Sequence, residues 1–178
     1  MASTLKIDTV TTPDGTGNIT FSRPIVADGA ALTNLPASFS PSVVHLHTTN
    51  GYGSTNNKIR RWSTVISNTG SDITYVDSAS LGGTFTINTN GIYSMSYSDH
   101  FSVANEYGFS RNSNQLTTGI SSITVAHALF WDSTPASNTT QGISITLSLS
   151  SGDVIRAHAL GASGVAPVQT RFSISRVE

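Results

Sequence analysis

From Val43 onward, apolar residues alternate with small polar ones, the period-two pattern of strands with one buried face. In GGTFTINTNGIYSMSYS, residues 82–98, Phe85 and Ile87 alternate with Thr84, Thr86 and Asn88. Asn90 and Gly91 then supply a turn, and Tyr93, Met95 and Tyr97 alternate with serines. This pattern predicts two strands around a tight turn. It repeats in ISITLSLSSGDVIRAHAL, 143–160, where Ile143, Ile145, Leu147 and Leu149 share a face, Ser151, Gly152 and Asp153 turn the chain, and 154–160 returns. A closing strand places Phe172 and Ile174 together, and others are expected at 43–48, 60–67, 73–76 and 122–131. Helical periodicity is almost absent, so the expectation is an all-β sandwich or barrel of about eight to ten short strands. One strand is unusual: within 122–131, Ile123, Val125, Leu129 and Trp131 lie on one face and Ala126, Ala128 and Phe130 on the other. A strand apolar on both faces needs cover on both. In a domain this small, the second cover is expected to be another copy of the chain.

Before Val43 the pattern changes. Residues 17–36, GNITFSRPIVADGAALTNLP, read as one lone strand around Ile19 and Phe21, then Pro24 and Ile25, a turn at Asp28 and Gly29, and a short apolar patch of Leu32 and Leu35. That segment cannot build a core alone. The 178 residues therefore divide into an arm, 1–41, and a head domain, 42–178, of ordinary size.

Composition narrows the function. Charged residues make up 11% of the chain against about 25% in ordinary soluble domains. The net charge is -1 and the largest basic cluster is Arg60 with Arg61, so there is no field to attract nucleic acid or an anionic membrane. The absence of cysteine excludes disulfides and thiol chemistry, leaving packing and oligomerisation to supply stability. The opening MASTLKIDTV has no basic stretch before an apolar core, and no apolar run approaches the ~18 residues of a membrane span. Synthesis in a cytoplasm without membrane insertion is expected.

Three stretches carry a resemblance. GGTFTINTNGIYSMSYS, ITLSLSSGDVIRAHA and FSISRV resemble, in order and spacing, the hairpins and last strand of the tumour necrosis factor-like jelly rolls, which include the globular heads of the first complement component. The resemblance covers roughly residues 43–178. It implies a ten-stranded jelly roll assembled as a homotrimer, one sheet of each protomer facing the threefold axis. In the arm, STLKIDT and DGAALTNLP are similar to N-terminal segments of tailed-bacteriophage virion proteins. That likeness implies a virion location, with Ile19, Phe21, Ile25, Leu32 and Leu35 anchoring the arm to other virion proteins and the head displayed towards a host-surface glycan or protein. A tail fibre and a capsid decoration or head-fibre protein both fit. A secreted lectin-like or cytokine-like module is a further alternative, and it would require an export signal.

Candidate chemistry is sparse. His45 and His47 stand at i and i+2, hence on one face of a strand. Three copies around an axis would offer six nitrogens, which suits an octahedral metal ion and resembles the His-x-His sites of some phage fibres. No other cofactor is expected. Glu106 and Glu178 are the sole glutamates, no Gly-x-Ser-x-Gly elbow occurs, and Asp14, Asp28, Asp132 and Asp153 sit where turns use aspartate. Asp99 beside His100 is the nearest approach to an acid-base pair, so the chain is expected not to be an enzyme. Trp62 is expected to anchor a core or an interface. Two polar stretches, 104–119 and 131–142, are expected to be recognition loops carrying Tyr107, Phe109, Arg111, Asn114, Trp131 and Asn138.

Overall fold

The computed structural model describes residues 41–48, 51–134, 138–161 and 169–178. The anchoring residues expected in the arm, Ile19, Phe21, Ile25, Leu32 and Leu35, lie outside them. Ten strands follow one another: β1 (Val43–His47), β2 (Thr64–Thr69), β3 (Ile73–Ser78), β4 (Gly82–Ile87), β5 (Gly91–Phe101), β6 (Asn105–Arg111), β7 (Ala128–Thr134), β8 (Thr139–Leu149), β9 (Val154–Ala159) and β10 (Arg171–Arg176). They form two five-stranded antiparallel sheets, ordered β2-β1-β10-β5-β8 and β3-β4-β9-β6-β7. This is a sandwich, as the alternating pattern predicts, and the jelly roll that the resemblance implies.

Alternation decides what lies between the sheets. Val44 and Leu46 of β1, Tyr93, Met95, Tyr97 and Phe101 of β5, Ile143 and Leu149 of β8, and Phe172 and Ile174 of β10 are buried from the first sheet. Phe85 and Ile87 of β4, Tyr107 and Phe109 of β6, and Ile155, Ala157 and Ala159 of β9 meet them from the second. The centre is aromatic. Phe172 stacks on Phe85 at 4.1 Å across the sandwich, and Trp62 leans on Phe172 and meets Tyr97 edge-on at 5.6 Å. Trp62 is thus a core anchor, 1% exposed.

Four expectations change. The strand expected at 60–67 begins only at Thr64, because Arg60 bridges to Tyr52 instead. The strand expected at 122–131 begins at Ala128; Ile120–Ser122 and Val125–His127 are single 3-10 turns. The largest change concerns 104–119. Its first half is β6, in which Tyr107 and Phe109 are fully buried in the core, so neither is a surface recognition residue. Likewise 131–134 belongs to β7 and 139–142 to β8.

What remains of the first loop is a cover. Residues 112–124 climb back over the outer face of the second sheet, where Lys58 N donates to Leu116 O and the Ser121 hydroxyl to the Glu106 carboxylate. Ile120 and Ile123 are buried there, outside the main core cluster.

The strand registers give the sandwich two distinct ends. Ser42, the turns 70–72, 88–90 and 150–153, and the chain's last residues lie at one, here the entry end. His47, Thr64, Phe101, Asn105, Thr134, Thr139, Ala159 and Arg171 mark the other, the far end.

Candidate functional site

The outer face of the first sheet is paved with hydroxyls. Inward positions of β1, β10, β5 and β8 are apolar, so the pleat sends Ser94, Ser96, Ser98, Ser144, Thr146, Ser173 and Ser175 outward. Register aligns them in rows: Ser67, His45, Ser173, Ser96 and Ser144 form one, and Thr64, His47, Arg171, Ser98 and Gly142 the next. Within the first row Ser96 and Ser173 share a hydrogen bond of 2.8 Å. His45 and His47 stand on this face as their spacing predicts, both partly exposed. The Nδ1 atom of His47 is enclosed without a hydrogen-bond partner. Among the described residues, no group of three or more His, Cys, Asp or Glu could hold a metal ion. Two imidazoles alone make an incomplete ligand set.

Beside this face the sandwich opens at the β7 edge. Phe130 and Trp131 are 43% and 42% exposed, and β7 pairs only with β6 among the described residues. Pairing places Trp131 opposite Gly108, where a Cβ would meet Phe130 O at 2.2 Å. The glycine lets β7 approach closely, and the indole ends up outside. A second exposed apolar set, Val65, Ile66 and Val76, marks the opposite edge. Exposed aromatic edges of this kind are what interfaces cover.

Of the recognition residues expected in loops, Asn114 and Asn138 are exposed and Arg111 partly so. Asn138 takes a left-handed φ of 55°, which asparagine tolerates. They are not brought together: Arg111 ends β6 at the entry end, whereas Asn138 precedes β8 at the far end. The far end instead carries two shallow hollows that share Ala104, Asn105 and Leu160, one of about 300 Å³ reaching Lys58 and one of about 230 Å³ reaching Glu106. A wider hollow of about 530 Å³ at the entry end is lined by Asn90, Ile92, Ser148, Arg176 and Glu178.

Asp99 and His100 do not form an acid-base pair. As neighbours on β5 they point to opposite faces. His100 Nδ1 lies 3.3 Å from Thr140 Oγ1 on the outer face. Asp99 is completely buried, with Oδ2 3.0 Å from Arg60 Nε and 2.8 Å from the Tyr97 hydroxyl. Its Oδ1 accepts from Thr170 Oγ1, the His100 amide and Arg60 Nη2. Burial pushes the carboxyl up, opposed by Arg60 and by the hydrogen bonds of Tyr97, Thr170 and His100. One carboxylate thereby ties together β5, the β1-β2 connection and the residue before β10. Sequence reasoning missed this network because Arg60 and Thr170 are distant in the chain; the one signal was a charged residue at an inward position of β5.

The strand order and two-sheet stacking define a tumour necrosis factor-like jelly roll. Murine APRIL at pH 8.0 has the same fold, with a TM-score of 0.57 at 15% identity, covering 78% of this chain and all of that one. Eiger TNF from S. frugiperda is similar, with a TM-score of 0.56 at 13% identity over 78% of this chain and 93% of that one. No family model matches the sequence, and no curated protein does.

Proposed function

We propose that the chain is a homotrimeric structural and binding protein of a tailed-phage virion, with residues 1–41 anchoring it to other virion proteins and the jelly roll displayed outward. The observation that carries this reading is the division of the sandwich into two ends. Ser42 lies at the entry end, and on this reading the far end is the recognition surface. Recognition of a glycan or protein then belongs to the connections around Val103, Ala104 and Leu160, and three identical copies would add avidity to weak contacts. Trimerisation would cover the Phe130 and Trp131 edge, and if His45 and His47 of three copies converged, they would complete a six-nitrogen metal site. The arm's likeness to phage virion segments supports the virion setting; capsid decoration is the variant in which the arm does most of the work. On this reading the protein is made in the host cytoplasm and catalyses nothing. One finding favours a second reading: the fold shared with APRIL and Eiger TNF fits a cytokine-like trimeric ligand equally well.

Gold labelling of source particles with an antibody to the head separates the readings. Label at the tail or on the capsid, lost when residues 1–36 are deleted from a chain that still folds, is the expected result. Particles without label, or a truncated chain that still incorporates, contradict the anchored-arm reading.

A further inference from the structure

The cover formed by residues 112–124 hides an unusual set of polar groups. On the outer face of the second sheet, β6 and β9 pair Ser110 with Arg156 and Gly108 with His158. Directly opposed side chains of one face start about 5 Å apart and diagonal ones about 7–8 Å. Ser110, Arg156 and His158 therefore form three corners of one patch, and the fourth, Gly108, has no side chain. The cover satisfies part of each ring or guanidinium: Arg156 Nη1 donates to Ser113 O at 3.4 Å, and His158 Nε2 donates to Thr118 O at 2.7 Å. Three enclosed atoms are left without a partner: Ser110 Oγ, Arg156 Nε and His158 Nδ1. Ser110 and His158 expose no surface at all.

Charge is unbalanced in the same place. Arg156 belongs to none of the ion pairs among the described residues, which join Arg60 to Asp99, Arg61 to Asp77 and Arg176 to Asp72. The cover, 112–124, carries no ionisable side chain. Glu106, farther along β6, accepts from Ser121. Lys58 adds a second positive charge near His158. Arg156 is half-buried with its Nε enclosed; a partly desolvated guanidinium without a counter-charge is destabilising, and a water molecule at the free atoms would complete hydrogen bonds without cancelling the charge.

We propose that Ser110, Arg156 and His158 bind a small monovalent anion of the size of chloride beneath the cover, fastening residues 112–124 to the sheet. The Arg156 Nε–H and Ser110 O–H donate to it directly. His158 Nε2 already carries the hydrogen that faces Thr118 O, so in the neutral ring Nδ1 offers a lone pair. The ring becomes a third donor by taking one proton from solvent. Arg156 and Lys58 oppose that uptake, and burial does too; a bound anion favours it. Anion binding and protonation of His158 therefore strengthen each other. The three enclosed, unpartnered groups converge from three directions, which suits a spherical anion.

The test uses the full chain at about pH 6, where histidine protonation is accessible. Thermal unfolding is followed in sodium chloride or bromide against sodium gluconate at equal ionic strength. The midpoint should climb with the logarithm of halide concentration above the dissociation constant, and gluconate should not reproduce the rise. Ser110→Ala should weaken the effect and Arg156→Met abolish it; if Arg156→Met fails to fold, Ser110→Ala carries the comparison. Crystals in bromide should show an anomalous peak within hydrogen-bond reach of Arg156 Nε and Ser110 Oγ, and nuclear magnetic resonance should show the His158 pKa rising with halide. Equal midpoints in halide and gluconate, an ordered water at the bromide position, or a halide effect unchanged in Ser110→Ala would each overturn the assignment.

Discussion

Two buried residues show how much a single side chain decides here. Asp99 accepts hydrogen bonds from three separate segments at 0% exposure, so Asp99→Ala leaves the Arg60 charge buried and unpaired. Removing one partner of such a pair costs about 3–5 kcal/mol, and a urea titration should show a loss of that size with the Thr170 segment exchanging faster. His158 makes a prediction about pH. Burial holds its imidazole below the ordinary value of 6.5, with Arg156 and Lys58 adding to the effect. The unfolded chain thus binds a proton that the folded chain resists. The stability this contributes is complete above the ordinary histidine range and is lost as pH falls through the lower folded value. In halide-free buffer the urea midpoint should decline below about pH 6.5, and His158→Gln should flatten that decline. A His158→Gln profile parallel to the parent would contradict it.

At the scale of elements, the strands most legible in the sequence were those with one wet face. In β5 and β8, serine and threonine alternate with Tyr93, Met95, Tyr97, Ile143 and Leu149, and register followed directly. The strand β6 was not legible, because Asn105, Gly108 and Ser110 read as loop residues yet are buried, the last two under the 112–124 cover. Its outward face is closed by a segment whose fold no local pattern announces. The same contrast holds for the candidate surfaces. The shared orientation of His45 and His47 follows from spacing alone, but Tyr107 and Phe109 could be assigned to the core only once β6 was seen between β9 and β7. The β7 edge yields its own test. Phe130→Ser with Trp131→Ser removes exposed apolar surface, so the monomer fold should survive while subunits dissociate at micromolar concentration. An unchanged assembly would place the interface elsewhere.

A head of low charge, without cysteine, carries exposed aromatic residues on one edge and a hydroxyl-covered sheet face beside it. Self-association reconciles these features, since an edge strand left open is a hazard for a single chain. Light scattering coupled to size exclusion measures the central claim directly: the chain of 18.7 kDa should elute at three times that mass across a tenfold dilution, whereas a stable monomer at micromolar concentration would contradict the trimeric account.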